Sequence, residues 1–328
     1  MKAIVYEKYG SPTVLQLKEM EKPVSKDDEV LIDVQAASVN SRDWRLMRAN
    51  PFFVRLMVGG LLKPKNSILG TDVAGRVELV GSHVTQFRPG DEVFGYLSRY
   101  GGRTFAEYAC ATEDEIALKP ANLSFEQAAA VPVAALTALI GLRDMGNIKP
   151  EDKVLIQGAS GGVGTFAVQL AKKVFGAEVT AVCSTNNLDM VRSLGADHVI
   201  DYKKEDFTRN RQQYDLILAV NGYHPLSHYF QALTPEGSYV VAGGSMRQLF
   251  RAMVQSRRNK KTAGRKTYVV SVKRSKTDLL FMKELLETKK VVPVIDGCYP
   301  LREAAEAFRY FEEVHPKGKV VITMAQNN

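Results

Sequence analysis

The sequence is poor in cysteine, and its three cysteines stand in no pattern that binds metal or builds a disulfide framework. Cys110, Cys183 and Cys298 lie far apart and form no C-x-x-C pair. The five histidines also lack the H-E-x-x-H spacing of zinc enzymes. The sequence therefore predicts neither a zinc site nor structural disulfides.

Long apolar runs are also missing. No stretch approaches the roughly 20 apolar residues that a membrane-spanning helix needs, and residues 1–9 alternate like a strand rather than forming a signal-peptide core. The 328 residues are 45% hydrophobic and 24% charged, an ordinary composition that leaves room for two globular domains. We therefore expect a cytoplasmic protein.

Acidic residues are absent from one basic segment, residues 246–276. It holds eleven Lys or Arg residues, whereas the whole chain carries a net charge of +8, so the remainder sums to −3 (8 minus 11). Such a segment is most often a solvated face. Because Phe250 and Met253 are interleaved near its start, it could instead lie on an anionic membrane or contact RNA phosphates.

Hydrophobic patterning divides the chain into two regions. Up to about residue 122, short strands separated by glycine and proline turns predict an all-β module with a helical insert near 41–57. From residue 153, short β-branched runs alternate with helices, which predicts a doubly wound parallel sheet. The predicted strands are 3–6, 29–38, 74–80, 92–96, 104–109 and 115–119, then 153–157, 178–183, 198–200, 216–220, 238–242 and 268–272. Strands at 294–299 and 319–324, around a helix at 302–313, are expected to rejoin the first module.

A glycine-rich segment, Gly-Ala-Ser-Gly-Gly-Val-Gly at residues 158–164, follows a predicted strand and opens a helix. Gly158, Gly161 and Gly164 stand where a tight turn, a close backbone approach and helix–strand packing require glycine. The free N–H groups at the start of the helix can then bind a pyrophosphate. The alternative is a purely structural glycine turn. We predict a dinucleotide-binding domain.

The residues after the second strand of that domain indicate which dinucleotide is favoured. NAD enzymes place Asp or Glu there to bind the ribose 2′-hydroxyl, but this chain has Cys-Ser-Thr-Asn-Asn at 183–187. No carboxylate repels a 2′-phosphate, and Ser184 and Thr185 offer hydroxyl donors, so NADPH is expected rather than NADH. Lys203 or Lys319 could supply a positive charge, or both could be ordinary surface lysines.

Eight sequence blocks occur in an order typical of one enzyme family. They are Ala-Ala-Ser-Val-Asn at 36–40 with Asp43, Leu-Gly-Thr-Asp-Val-Ala-Gly at 69–75, Pro-Gly-Asp-Glu-Val-Phe-Gly at 89–95, Gly-Arg-Thr-Phe-Ala-Glu-Tyr at 102–108, Ala-Leu-Thr-Ala at 135–138, the glycine-rich segment, Ser-Leu-Gly-Ala-Asp at 193–197 and Gly-Lys-Val-Val at 318–321. Through these blocks the chain resembles, over nearly its whole length, the zinc-free quinone-oxidoreductase branch of the medium-chain dehydrogenase/reductase superfamily.

The resemblance implies an α/β fold of two domains. A GroES-like β-barrel catalytic domain would comprise residues 1–122 and 294–328, and a Rossmann NAD(P)-binding domain with a doubly wound parallel sheet would comprise 123–293, with the active site in the cleft between them. Zinc-dependent relatives carry Gly-His-Glu at Gly70-Thr71-Asp72, a Cys ligand near Asn40 and a four-cysteine lobe that is absent here. Both zinc sites are therefore expected to be missing. The branch is frequently dimeric, which leaves a homodimer open.

The resemblance also implies which residues bind the cofactor. They are Ser160, Gly161, Gly162 and Val163 at the pyrophosphate, Ser184 and Tyr202 at the adenosine phosphate, Thr137 at the nicotinamide, Asn221, Gly222, Gly243 and Gly244 along the ribose and ring, and Lys319 near the end of the chain.

Asn40 and Asp43 are the candidate catalytic residues. The Asn40 amide can donate a hydrogen bond to a substrate carbonyl that gains negative charge as hydride arrives; alternatively, Asn40 only caps a loop. Asp43 is expected to orient that loop rather than to transfer a proton. Where the family often has tyrosines after this motif, the chain has Trp44, Phe52 and Phe53, which predicts a different substrate pocket.

No dedicated acid is visible, since the sequence has no Tyr-x-x-x-Lys motif. The leading prediction is therefore NADPH-dependent, zinc-free hydride transfer to electron-poor substrates, namely quinones or α,β-unsaturated carbonyls. An apolar insert at 51–62 would be either a core segment or a lip that admits such substrates. Two alternatives stay open: an alcohol/ketone oxidoreductase, and a non-catalytic NADPH-binding protein that binds RNA or a membrane through residues 246–276.

Overall fold

The computed structural model describes residues 1–49, 55, 60–99, 101–257 and 264–324. The chain divides into two compact units: Met1–Val133 with Arg274–Glu287 and Pro293–Asn328, and Ala134–Lys273 with Thr288–Val292. We call these the first and the second unit. Contacts therefore group residues 123–133 and 274–287 with the first unit, whereas the domain boundaries drawn from the sequence at 122 and 293 stay a prediction.

Within the described residues, the first unit is built on a largely antiparallel sheet of seven strands. The strands of this unit are β1 (Lys2–Val5), β2 (Gln16–Glu19), β3 (Glu29–Ser38), β4 (Asp72–Val80), β5 (Glu92–Tyr96), β6 (Tyr108–Thr112), β7 (Ile116–Leu118), β14 (Ile295–Pro300) and β15 (Lys319–Thr323). The sheet order is β14-β15-β3-β4-β5-β7 with β6 also paired to β3, while β1 and β2 form a separate hairpin. Antiparallel pairing of β15 with β3 sets Val321 opposite Ser38.

β3 forms the centre of the core of the first unit. Its β-branched side chains Val30, Ile32 and Val34 alternate onto one face and are fully buried against Val73 and Val93 of the neighbouring strands. Burying each such side chain stabilises the fold by about 1.5–3 kcal/mol. This packing fixes the end of β3, and with it the position of the residues that follow.

The second unit contains a parallel sheet. Its described strands are β8 (Lys153–Gln157), β9 (Glu178–Cys183), β10 (His198–Asp201), β11 (Tyr214–Ala219), β12 (Leu233–Val241) and β13 (Lys266–Val269), and their order is β10-β9-β8-β11-β12-β13. The order reverses direction between β8 and β11, which is where doubly wound sheets bind their ligands. The doubly wound parallel sheet predicted from the sequence matches this topology.

Helices surround both sheets. The described α-helices are α1 (Ser41–Arg48), α2 (Phe125–Ala129), α3 (Pro132–Leu139), α4 (Gly162–Gln169), α5 (Leu188–Leu194), α6 (Leu226–Ala232), α7 (Met246–Ser256), α8 (Lys276–Glu287) and α9 (Ala304–Val314). α3 and α4 each continue into a π-helical turn, at Ile140–Met145 and Leu170–Val174. Across the described ranges no helix combines the length and apolarity needed to cross a membrane.

Some sequence-based predictions differ from the structure or lie outside it. The strand expected at 104–109 is displaced to β6, because the Thr104 and Phe105 N–H groups donate to the Gly70 and Leu69 carbonyls instead of joining the ladder. β2 was not predicted, because its side chains are mostly exposed and show no alternation. Most of the apolar insert at 51–62, with Phe52 and Phe53, lies outside the described residues.

Candidate functional site

The glycine-rich segment of the second unit turns sharply at the carboxyl end of β8. Gly158 adopts a left-handed φ of +81°, which favours glycine. A Cβ on Gly164 would lie 2.1 Å from the Gly158 carbonyl oxygen, so this glycine allows α4 to pack against the turn. A Cβ on Gly161 would meet nothing closer than 3.7 Å. Packing within the protein therefore requires Gly164, whereas Gly161 leaves a space that the protein itself does not fill.

α4 begins at this turn, and its first backbone N–H groups could bind an anion. Gly161 is its extended N-cap, with φ −83° and ψ 177°, and the first N–H groups of a helix have no intrahelical partners. These groups and the helix dipole favour a phosphate at this position. Ser160, Gly161, Gly162 and Val163 are all only partly buried, so a ligand can reach them. The geometry fits the pyrophosphate of a dinucleotide.

Asn187 links two of the predicted cofactor residues and was missed in the sequence. Its amide Nδ2 lies 3.0 Å from Ser160 Oγ and 3.1 Å from Ser184 Oγ. The side chain is buried, and its Oδ1 has no hydrogen-bond partner. Asn187 therefore ties the end of β9 to the glycine-rich segment. Only the alignment of parallel strands reveals this connection, because the two serines lie 24 positions apart (184 minus 160).

The end of β9 differs from expectation in one respect. Thr185 Oγ1 donates to Asp201 Oδ2 over 2.6 Å, so Thr185 is not the free donor that the sequence suggested, and Ser184 remains as the hydroxyl there. The Thr185 hydrogen bond also lowers the pKa of the Asp201 carboxyl. Asp201 is the carboxylate that the sequence reasoning overlooked, because the β9–β10 pairing sets it opposite Cys183. Tyr202 follows it and is half-exposed.

The predicted nicotinamide-side residues lie along the carboxyl edge of the same sheet. A parallel bridge joins Gly222 to Gly244, and a Cβ on Gly158 would lie 3.2 Å from the Asn221 nitrogen. A Cβ on Gly222 would lie 2.3 Å from Gln248 Nε2, so a larger residue there would require the Gln248 side chain to move. Thr137 lies in the same unit, buried on α3.

A buried polar cluster stands at the end of β3 in the first unit. Asn40 Nδ2 donates to Asp72 Oδ2 over 2.9 Å and, over a longer 3.3 Å, to the Ser38 carbonyl. Lys319 Nζ donates to Asn40 Oδ1 over 2.6 Å and lies 3.3 Å from Asp72 Oδ2. Ser38 Oγ donates to the same carboxylate oxygen over 2.6 Å. We call Ser38, Asn40, Asp72 and Lys319 the Asn40 cluster.

Asp43 lies beside this cluster and holds the loop that contains Asn40. Its two carboxylate oxygens accept from the N–H groups of Asn40 at 3.0 Å and Gly70 at 3.2 Å. Burial raises the pKa of this carboxyl from its ordinary 3.8 to about 6; Arg42 and the two N–H groups lower it, and Asp72 adds to the rise. These contacts favour the expected role of Asp43 in loop orientation.

Lys319 was expected at the cofactor, but its hydrogen-bond partners are in the first unit. Its side chain is 4% exposed, and Nζ makes its third contact with the Val39 carbonyl at 3.2 Å. The three acceptors around Nζ, on Val39, Asn40 and Asp72, thus all belong to the first unit. A cofactor contact for Lys319 stays a prediction.

The Asn40 cluster does not fit a zinc ion. By the resemblance, zinc-dependent relatives would have His at Thr71 and a Cys near Asn40; here an ammonium group binds Asn40 and Asp72. Zinc prefers thiolate, imidazole and carboxylate ligands in a tetrahedral arrangement. In the part of the chain that the structure describes, no group of three or more His, Cys, Asp or Glu residues could hold a metal.

Two protein-family models match the chain. One, described as an alcohol dehydrogenase GroES-like domain, matches residues 26–121. The other, described as a zinc-binding dehydrogenase, matches residues 194–322. The first match confirms the GroES-like character predicted for the all-β module.

Curated relatives and solved structures match nearly the full length. A chloroplastic quinone-oxidoreductase homolog of Spinacia oleracea is 35% identical, covering 98% of this chain and 98% of the relative. A chloroplastic NADPH-dependent alkenal/one oxidoreductase of Arabidopsis thaliana is 36% identical, covering 98% of this chain and 79% of the relative. The quinone oxidoreductase structure from Coxiella burnetii is 30% identical, with a TM-score of 0.88 and 99% of each chain covered. These matches confirm the fold class and the oxidoreductase family predicted from the sequence.

Proposed function

This chain belongs to the quinone-oxidoreductase branch of the medium-chain dehydrogenase/reductase superfamily, and on that premise we propose that it reduces quinones or α,β-unsaturated carbonyls with NADPH by direct hydride transfer. The observation that carries the proposal is the dinucleotide cradle of the second unit. There, a left-handed Gly158, an open Gly161 and the Ser160–Asn187–Ser184 bridge surround the start of α4. The bound nicotinamide would supply the hydride.

NADPH is the dinucleotide that we propose. The residue at the end of β9 is Ser184, whose hydroxyl can donate to a 2′-phosphate without charge repulsion. Asp201 is the nearby carboxylate, but its oxygens already accept from Thr185 Oγ1 and the Lys203 N–H. Lys204 lies 3.9 Å from it and balances its charge. The site is therefore electrostatically compatible with a phosphate.

Asn40 is proposed to bind the substrate oxygen. Its 3.3 Å hydrogen bond to the Ser38 carbonyl is the longer of its two donations, so that hydrogen is the one most easily exchanged for a substrate carbonyl. As hydride reaches the substrate, its oxygen gains negative charge, and a pre-oriented amide donor stabilises that charge. Lys319 orients the amide by binding Oδ1, which fixes Nδ2 as the donor side.

Zinc is not part of the proposed mechanism. The Asn40 cluster already contains a cation, and the substrate classes named above accept hydride without Lewis-acid activation of a simple carbonyl. The proton that completes the reduction would come from solvent, because Asp43 is engaged by two N–H groups. The protein would contribute proximity, orientation and one or two hydrogen bonds.

The proposed substrate class rests on the names of the relatives and on the lack of a Tyr-x-x-x-Lys acid motif in the sequence. Relatives at 35% and 36% identity are named for quinones and for alkenals or alkenones. An alcohol/ketone oxidoreductase is the alternative enzyme. Cytoplasmic location and a homodimer stay predictions, and the relatives include chloroplastic and mitochondrial proteins.

The test is NADPH oxidation by the purified protein with panels of quinones, enones and simple ketones. We expect turnover with quinones or enones, little with ketones, and a lower rate with NADH than with NADPH. Turnover restricted to simple ketones would contradict the proposal. Binding of NADPH without turnover on any panel would favour the non-catalytic alternative instead.

A further inference from the structure

The outward face of α7 is apolar and basic at the same time. Phe250 is 67% exposed, Met253 45% and Val254 38%. Leu249 and Ala252 instead pack against the core of the second unit. A surface helix normally presents polar side chains to water, so these exposed apolar side chains are not explained by the packing of α7.

Arginines surround these apolar side chains. Positions 250, 254 and 257 share one face, since residues four and three apart are neighbours on a helix, and Arg247 and Arg251 flank that face. Within the described ranges, the guanidinium groups of Arg247, Arg251 and Arg257 make no ion pair or hydrogen bond. α7 itself contains no acidic residue. The face therefore carries uncompensated positive charge around an apolar centre.

A cavity of about 320 Å³ opens beside α7. Arg247 and Arg251 line it, together with Tyr223 and His224, and no Asp or Glu contributes to its wall. A phosphate group entering this cavity would meet two guanidinium groups, which bind phosphate in a bidentate manner.

We propose that α7 docks this protein on an anionic lipid bilayer. Phe250, Met253 and Val254 would enter the interface, and Arg247 and Arg251 would bind the phosphates of lipid headgroups, as amphipathic basic helices do. Docking does not depend on the proposed function. The consequence of docking for substrate supply rests on the proposed function: lipid-soluble quinones would be drawn from the membrane to which the enzyme is bound.

Two other occupants of this face fit the observations less well. RNA phosphates would pair with the arginines and Phe250 could stack on a base, but the aliphatic Met253 and Val254 would gain no partner from RNA. A second copy related by a twofold axis would place the same arginines opposite one another, and like charges oppose such a contact. A bilayer satisfies both the apolar and the positively charged parts of the face.

Vesicle flotation of the full-length protein tests the proposal. The probes are phosphatidylcholine vesicles and vesicles of about three parts phosphatidylcholine to one part phosphatidylglycerol. We expect binding to the second kind only, weakened by salt. Phe250→Ser with Met253→Ser, and separately Arg247→Gln with Arg251→Gln, should each weaken binding about tenfold or more. Leu280→Ser, an exposed apolar residue on α8, and Arg302→Gln are matched controls that should bind like the wild type.

The remaining outcomes separate this proposal from its alternatives. Wild-type protein that ignores anionic vesicles but binds single-stranded RNA, or forms a dimer that the Phe250→Ser/Met253→Ser variant abolishes, would overturn it. Turnover of a water-soluble quinone should be unchanged in both double variants, while turnover of a long-chain quinone in anionic vesicles should fall. Vesicle binding without turnover of any quinone or enone would leave the docking standing and refute the proposed function.

Discussion

A single lysine organises the candidate substrate site. Lys319 is nearly inaccessible to solvent and binds Asn40 and Asp72. A buried cation with three acceptors around it does not exchange partners easily, so it fixes which edge of the Asn40 amide donates. We therefore infer that Lys319 is a positioning residue, which acts on the substrate through Asn40.

Replacing Lys319 with methionine should lower kcat about tenfold or more and leave the affinity for NADPH nearly unchanged. The reason is that the Asn40 amide loses both its orientation and its polarising partner. Steady-state kinetics and NADPH titration measure the two effects. Lys317→Met is the matched control, since Lys317 is exposed and two residues away. A loss confined to NADPH affinity would restore the cofactor-contact role that the sequence suggested.

A double variant separates positioning from simple charge balance. Lys319→Met alone leaves the Asp72 carboxylate buried without its cation, at a cost of about 3–5 kcal/mol in stability. Lys319→Met with Asp72→Asn removes both charges and should regain most of that stability. We expect its kcat to stay low. Recovery of wild-type kcat in the double variant would show that Lys319 only neutralises Asp72.

Asp43 should give the stability of the protein a distinctive pH dependence. Because burial raises its pKa from 3.8 to about 6, the native state holds this proton more tightly than the unfolded chain. Its contribution to stability is then full below about pH 4 and is lost as the pH rises through about 6, a change of about 3 kcal/mol. As the pH rises over this range, the Tm of the wild type should therefore fall relative to the Tm of Asp43→Asn. A pH-independent difference would contradict the raised pKa.

The sequence predicted the residue types at these sites better than their partners. Asn40 and Asp43 stand out because they follow a buried strand and cap α1. Lys319, Asp201 and Asn187 acquire their partners only through sheet registers: β15 against β3 joins residues 279 positions apart, and β10 against β9 brings Asp201 to Thr185. Such registers follow from the packing of whole sheets, which a local pattern does not encode.

At the scale of elements, two glycines at the turn between β8 and α4 have different roles. Gly164 is required by the protein itself, since its Cβ would overlap the Gly158 carbonyl at 2.1 Å. Gly161 has ordinary dihedral angles for any residue and open space in front of it. Gly164 thus serves packing within the protein, whereas Gly161 leaves room for the proposed ligand.

Substituting alanine at these two positions should have opposite consequences. Gly161→Ala should leave the Tm of the unliganded protein nearly unchanged and weaken NADPH binding about tenfold or more, because its methyl group would occupy the pyrophosphate position. Gly164→Ala should cost about 1–3 kcal/mol of stability through overpacking. Thermal scans with and without NADPH measure both effects. Normal NADPH affinity in Gly161→Ala would rule out the cradle as the dinucleotide site.

Strands were predictable where burial imposed a pattern. β3, β5, β8 and β9 match their predicted bounds because most of their residues are buried and apolar, with turn residues beyond their ends. β2 carries no such pattern, because most of its residues face solvent. The interruption of α4 by a π-helical turn at Leu170–Val174 likewise has no signal in the apolar spacing.

For the whole molecule, a bulk measurement can check the proposed metal independence. The family model that matches residues 194–322 is described as zinc-binding, whereas the Asn40 cluster contains an ammonium group. Dialysis against a chelator should therefore leave kcat and Tm unchanged, and elemental analysis should find no stoichiometric zinc. Loss of activity on chelation, restored by zinc, would overturn the metal-free mechanism.

The order of residues along the chain sets the order in which the dinucleotide cradle and the Asn40 cluster can be completed during synthesis. A ribosome delivers Asn40 early, then the entire segment Ala134–Lys273, and Lys319 only 279 residues after Asn40. The nucleotide cradle can thus be complete while the Asn40 cluster still lacks its lysine. Under the proposed function, a chain that has not yet reached Lys319 would contain the residues of the dinucleotide cradle but not the lysine that orients Asn40, so hydride transfer would be the last step to become possible.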